Sequence, residues 1–182
     1  MAGSVSWLAS IHGVGDPGDD VLDQAALGAG LRAELLARRM TLATAESLTG
    51  GLLADLVSAP PGASETYVGG VVSYATRVKV GILGVRPETV EEHGVVSEQC
   101  AREMAEGVRA LLEADWGVST TGVAGPTTQD DQPVGTVFLA VAGPTGTTCE
   151  EHHLTGDRSQ VRALASRTAA RLVLQRVVGG QR

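Results

Sequence analysis

Short runs of small, apolar and β-branched residues alternate along this chain with segments whose apolar residues recur at helical spacing, and no other feature restricts the fold as tightly. Val21 to Met40 reads as a helix closing in Arg38-Arg39, cations that suit a helix C-terminus. Thr41 to Ala45 reads as a strand, Gly51 to Ser58 as a helix stopped by Pro60-Pro61-Gly62, and Tyr67 to Tyr74 as a second strand leading into a short helical stretch through Arg77, Lys79 and Ile82. From Ser97 to Ala114 the residues Ala101, Met104, Ala105, Val108, Leu111 and Leu112 mark one helical face, with Ser97 as N-cap. Strands follow at Trp116 to Val123, Val134 to Ala142 and Thr147 to Leu154, the last two joined by a turn at 143–146. A final helix, Asp157 to Val178, has Val161, Leu164, Ala165, Thr168 and Leu172 on one side. The alternation predicts an α/β chain, a three-layer α/β/α sandwich with a mixed, mostly parallel sheet, because the closing hairpin must be antiparallel. Residues 1–20 are expected to form an irregular extension and residues 21–182 a single domain.

Composition removes several functions. With 43% apolar and 19% charged residues in 182, the chain has material for a sizeable core. A net charge of -7 without a basic cluster, together with 3% aromatics, leaves little to hold a phosphate backbone or stack bases, so no nucleic-acid partner is expected. No apolar run approaches the roughly 20 residues of a membrane span, and no signal-peptide pattern opens the chain. Two cysteines, Cys100 and Cys149, are too few and too far apart for a disulfide framework, which points to a reducing, cytoplasmic setting.

Candidate chemistry has to be weighed against simpler roles. Gly13 to Gly18 matches the dinucleotide-binding spacing, but Asp16, Asp19 and Asp20 would repel a pyrophosphate at the helix start, so turn chemistry explains it better. Adjacent His152 and His153 on a strand point to opposite faces, and Asp130-Asp131 lie in a polar loop, so no metal is expected. Ser47, where a strand passes into a glycine-started helix (Gly50-Gly51), has its hydroxyl at the rim of the sheet beside unpaired helix-start N–H groups; on that segment alone Ser47 or Thr49 reads better as an N-cap. A serine needs a base. Of the 14 Lys and Arg residues only one, Lys79, is lysine, and an amine can be neutralised by burial or by a nearby cation such as Arg77, whereas a guanidinium cannot. Codon bias would leave the same single lysine. Tyr74 could relay a proton between the two, or simply pack. Arg158 and Arg162 stand at a helix start, where the dipole disfavours cations unless an anion, with phosphate the natural candidate, binds there. Thr120 to Pro126 runs from a strand into a glycine-rich loop at the rim where α/β proteins bind ligands.

Taken in order, Thr44–Gly51, Gly69–Lys79, Gly94–Ser97, Thr121–Pro126, Pro133–Val137 and Gly156–Arg158 resemble the blocks of the CinA C-terminal domain family over roughly residues 25 to 178. That family includes nicotinamide-nucleotide amidases, which hydrolyse nicotinamide mononucleotide to nicotinic acid mononucleotide and ammonia in pyridine-nucleotide salvage. The resemblance implies Ser47 as nucleophile, Lys79 with Tyr74 as the proton-transfer pair, Thr49, Gly50, Gly51 and Thr121 around the substrate, Arg158 contacting the substrate or its phosphate, no cofactor, and a homodimer. The implied oxyanion donors are the N–H groups around Thr49 to Gly51. Leu48 stands where many members have cysteine, Thr76-Arg77 replaces a common Asn-Glu, and the segment 127–132 replaces a loop usually richer in glycine. The alternative from another class is a catalytically silent regulatory or interaction protein linked to competence or DNA damage; it would have no chemical reason to keep the Ser47, Tyr74, Lys79 and Arg158 set.

Overall fold

In the computed structural model the described residues are 17–179. They form a five-stranded sheet in the order β2-β1-β3-β4-β5, with β1 at Leu42–Glu46, β2 at Tyr67–Val72, β3 at Trp116–Gly122, β4 at Thr136–Gly143 and β5 at Gly146–His153. β1 pairs in parallel with both β2 and β3, and β4 pairs antiparallel with β3 and β5, so four of the five strands still point one way. The described residues also form six α-helices: α1 Pro17–Arg38, α2 Leu52–Ser58, α3 Thr76–Gly81, α4 Pro87–His93, α5 Glu98–Leu111 and α6 Arg158–Gly179. α1, α2 and α6 cover one face of the sheet, α5 and the segment around Leu83 and Val85 the other. The architecture is the expected mixed α/β sandwich.

The alternation along β4 shows how the two cores divide. Val137, Leu139 and Val141 enter the α1/α6 side, while Phe138, Ala140 and Ala142 enter the α5 side, and the whole strand is buried. On β1 the α5-facing residues are Ala43 and Ala45, small enough for α5 to pack flat on the sheet. β1 and β3 are tied at their start by Asp115, whose carboxylate accepts from Thr41 N–H at 2.8 Å and Thr41 Oγ1 at 3.0 Å. The β5 edge carries Glu150, Glu151, His152 and His153, charge that discourages pairing with another chain.

Several expectations change. α1 begins at Pro17, inside the stretch expected to be irregular, while residues 1–16 and with them most of the Gly13–Gly18 segment lie outside the described residues. α4 has no counterpart in the sequence reading: its order comes from Glu103 on α5, which accepts from Arg86 N–H at 2.9 Å and Thr89 Oγ1 at 2.8 Å. Leu111 is not core but 49% exposed, because Val108 and Leu112 already take the inward side of the last α5 turn. On α6 the stripe is not the expected one. Leu164 and Thr168 are half-buried, whereas Ala169, Ala170 and Val173 are fully buried, since α1 and α2 pack on the helix as well as the sheet.

Gly107 on α5 sets the distance to the α3–α4 connection: a Cβ there would fall inside the contact radius of the Leu83 carbonyl oxygen, which is rigid backbone. Alanine is the better helix former by about 1 kcal/mol. We nevertheless expect Gly107→Ala to lower the unfolding free energy by about 2 kcal/mol through overpacking, read as a lower urea midpoint at unchanged slope. A higher midpoint would mean that the connection yields to the methyl group.

Candidate active site

The carboxyl ends of the parallel strands β1 and β2 meet beside the end of β3, the place in an open α/β sheet where outgoing loops leave a crevice. Ser47 follows β1 directly, and its N–H donates to Thr120 carbonyl oxygen at 2.9 Å, prolonging the strand pairing by one residue. Ser73 follows β2 and is tied to the same point, its N–H donating to Glu46 carbonyl oxygen at 2.7 Å. α3 then turns the chain back so that Lys79 reaches under both. The Lys79 amine donates to Ser73 carbonyl oxygen at 2.6 Å and to Ser47 Oγ at 2.9 Å.

Lys79 is 1% exposed. Removal from water disfavours the ammonium form and holds the amine below its ordinary value, with Cys100 and Asp130 pulling weakly the other way. Burial, not Arg77, therefore depresses it: Arg77 is exposed on α3. Cys100 is itself buried and its thiol is pushed up to about 11, so it is no thiolate at neutral pH.

Glu46, the residue before the serine, was not among the expected site residues, yet it shapes the site. It is 1% exposed, and its carboxylate accepts from Gly51 N–H at 2.9 Å, Leu53 N–H at 3.1 Å and Ala54 N–H at 2.8 Å. The start of α2 is thus filled by a side chain of the protein, and the N–H of Gly51 cannot serve an oxyanion as expected. The N–H groups of Leu48, Thr49 and Gly50 make no hydrogen bond among the described residues. Arg162 fastens this turn from α6, donating through Nε to Leu48 carbonyl oxygen at 2.9 Å and through Nη2 to Thr49 carbonyl oxygen at 2.8 Å. It holds backbone, not the anion expected of it. A glutamate beside a rim serine and two glycines was the available signal for such a cap; nothing local announced the Arg162 contact, 113 residues away.

The remaining expected residues divide. Ser47, Lys79, Tyr74 and Arg158 line one cavity of about 270 Å³, together with Leu48, Thr76, Val95 and the 122–129 segment. Thr49 and Thr121 do not reach it. Thr49 is buried and shares a hydrogen bond with Thr120 Oγ1 at 2.8 Å, and Thr121 is buried with its hydroxyl donating to Val95 carbonyl oxygen at 2.6 Å, so both serve the frame. Gly50 and Gly51, with left-handed backbones, form the turn between β1 and α2 rather than the cavity wall. Tyr74 is 62% exposed and its hydroxyl accepts from Arg158 Nη2 at 2.8 Å; it bonds neither Ser47 nor Lys79, which removes the expected relay. Arg158 also donates to Gly125 carbonyl oxygen at 2.6 Å, and no carboxylate pairs with it among the described residues. Asp130 accepts from two backbone N–H groups, and no cluster of metal-ligating side chains exists among the described residues. A larger opening of about 550 Å³ near Trp116, Gln175 and Arg176 contains no nucleophile paired with a base.

Comparison with known proteins bears on this geometry. The family model of the CinA C-terminal domain matches residues 24–177. A CinA-like protein of Frankia casuarinae is 46% identical over 167 residues, which is 92% of this chain and 37% of that protein. A CinA-like protein of Thermotoga maritima is 44% identical over 80% of this chain and 36% of its own length. The chain therefore spans about a third of the curated relatives it matches. Among solved structures, the competence damage-inducible protein A of Klebsiella pneumoniae superposes with a TM-score of 0.84 at 36% identity, covering 87% of this chain and 99% of that one. A CinA superfamily protein of Escherichia coli gives 0.83 at 34% identity, covering 91% and 95%.

The depressed Lys79 amine has a consequence for stability. Between its lowered value in the folded chain and its ordinary value of 10.5 when unfolded, the unfolded chain binds more protons, so folding gains stability as pH rises through that window. Lys79→Met has nothing to titrate there. The wild-type unfolding free energy minus that of Lys79→Met should therefore rise as pH increases towards 10.5, measured by urea denaturation at constant ionic strength. Cys149, whose raised thiol acts in the opposite sense above about pH 9, is common to both proteins, and Cys100, pushed up to about 11 beside Lys79 and further without it, stays protonated in both folded proteins below that value, so neither thiol sets the sign of the difference. A difference that falls with pH would show that the folded protein favours the charged amine.

Proposed function

The chain belongs to the CinA C-terminal domain family, and we propose that it is a hydrolase that deamidates nicotinamide mononucleotide to nicotinic acid mononucleotide and ammonia. The observation that carries the proposal is the 2.9 Å contact between Ser47 Oγ and the amine of Lys79, buried and held below its ordinary value. A serine beside a neutral amine is an activated nucleophile, and an amide carbonyl is the electrophile such a pair attacks. With the substrate carboxamide carbon against Ser47, Oγ forms a bond to that carbon while its proton passes to Lys79 Nζ. The N–H groups of Leu48, Thr49 and Gly50, which have no hydrogen-bond partner among the described residues, are suited to receive the oxyanion. Lys79 then returns the proton to the leaving nitrogen, the C–N bond breaks, and ammonia departs from an acyl ester on Ser47. Water adds to the ester by the same route in reverse: its proton goes to Lys79, the C–Oγ bond breaks, and Ser47 regains its hydrogen.

Lys79 needs two N–H groups and a lone pair for this. The Ser73 carbonyl oxygen takes one N–H and so turns the lone pair towards Ser47 when the amine is neutral. Arg158, fixed by Gly125 and Tyr74 at the cavity wall, has charge free for the phosphate of a nucleotide, which in a chain of net charge -7 must be captured locally. Tyr74 then acts by orienting Arg158. We also place the protein in the cytoplasm, on its two free cysteines, and as a homodimer, the latter carried over from the family. Among the described residues no helix is long and apolar enough to cross a membrane.

Ammonia release from nicotinamide mononucleotide tests the assignment. Ser47→Ala should abolish turnover, and Lys79→Arg, which keeps the charge but cannot act as base, should lower kcat by about a thousandfold. Turnover by Lys79→Arg near the wild-type rate would overturn the mechanism. A folded wild type that releases no ammonia would favour the silent regulatory alternative.

A further inference from the structure

The connection between β3 and β4 has an order of its own. Gln129 and Gln132 face each other as an isolated antiparallel bridge, Gln132 N–H donating to Gln129 carbonyl oxygen at 2.9 Å and Gln129 N–H to Gln132 carbonyl oxygen at 3.3 Å. Between them Asp130 and Asp131 both have left-handed backbones, with φ of 50° and 57°, a conformation most side chains avoid and aspartate tolerates. Two such residues closing a bridge make the tight hairpin turn that usually selects asparagine or glycine.

Asp130 holds this hairpin to the body of the protein. Its Oδ2 accepts from Val95 N–H at 2.8 Å and from Val96 N–H at 3.2 Å, two successive amides just before α5. Gly94 makes the approach possible. Its φ is 75°, and a Cβ there would lie 3.0 Å from Asp130 Oδ2 and 3.1 Å from Asp130 Cβ. A charged acceptor on two amides is a strong tie, and Val95, one of the two, also lines the cavity.

The arm leading into the hairpin, Thr127, Thr128 and Gln129, lines the same cavity as Ser47 and Arg158. It offers two hydroxyl groups and a carboxamide, donors and acceptors without charge. Such a set matches a neutral polyhydroxyl unit, while Arg158 matches a phosphate. We propose that the 127–132 hairpin is the specificity element for the sugar unit of the substrate and that Asp130 is the positioning residue that latches it in place. The assignment rests on the amidase function proposed above, and its test separates the two.

Steady-state deamidation of nicotinamide mononucleotide is measured for the full chain, Asp130→Ala, Asp130→Asn and Thr128→Val, each checked for an intact melting transition. Asp130→Ala should raise KM about tenfold with kcat changed less than about threefold, because it loosens binding, leaves the hydrogen bond between Ser47 and Lys79 in place, and removes only a minor charge that favours the ammonium form of Lys79. Asp130→Asn keeps an oxygen acceptor and should bring KM back to within about threefold of wild type. Thr128→Val, which leaves the latch intact, should raise KM in the same sense. Inhibition by ribose 5-phosphate should weaken in Asp130→Ala in proportion to the rise in KM, whereas inhibition by nicotinic acid, which has no sugar, should not. A fall in kcat at unchanged KM, or equal weakening of both inhibitors, would overturn the assignment. Should the wild type release no ammonia, the amidase function fails while the hairpin is still read by calorimetric binding of nicotinamide mononucleotide. Binding about tenfold weaker in Asp130→Ala then supports the latch, and equal affinity, including no binding by either protein, overturns it.

Discussion

An amine taken out of water must find acceptors, give up its charge, or both, and the burial of Lys79 imposes that condition on everything around it. The acceptors are the Ser73 carbonyl oxygen and Ser47 Oγ, one at the end of β2 and one at the end of β1. They lie within reach of a single side chain only because β1 and β2 pair in parallel, so that their carboxyl ends fall side by side. The short α3 supplies the reversal that brings Lys79 back beneath them. Sheet topology, the bend after β2 and the reactivity of the serine are thus parts of one arrangement.

The charged side chains near the site act mostly on backbone rather than on each other. Glu46 fills the N-terminus of α2, Arg162 holds the two carbonyl groups after Ser47, and Asp130 ties down the β3–β4 hairpin. Each satisfies main-chain groups that turns and helix starts leave unpaired, Glu46 from within its own turn and Arg162 and Asp130 from distant parts of the chain. The result is a rim of loops whose main-chain groups are tied by side chains rather than by regular secondary structure. Arg158 differs in that its partners among the described residues are a carbonyl and a phenol, neither of which compensates its charge at the cavity wall.

Much of this was legible from the order of residues. The five strands and five of the six helices follow from periodicity, and Ser97 caps α5 as expected, accepting from Cys100 N–H at 3.2 Å. Ser47 and Lys79 were legible as a pair because a rim serine lacked a base and only one amine was present. The failures have a common cause. α4 has only seven residues and is held by Glu103 from another helix, the α6 stripe is redrawn by α1 and α2, and Thr121 turns its hydroxyl to Val95 instead of the cavity. None of these partners is a sequence neighbour.

By itself, then, the sequence determined the layered α/β class, the strand and helix inventory, and the chemical types present at the site, since periodicity and side-chain chemistry are local properties. The tertiary structure alone decided that Lys79 is depressed by burial and not by Arg77, that Glu46 occupies the helix start intended for an oxyanion, and that Tyr74 serves Arg158. Those outcomes depend on which groups meet across the parallel junction of β1, β2 and β3, and desolvation and hydrogen bonding are set by that meeting, not by position in the chain.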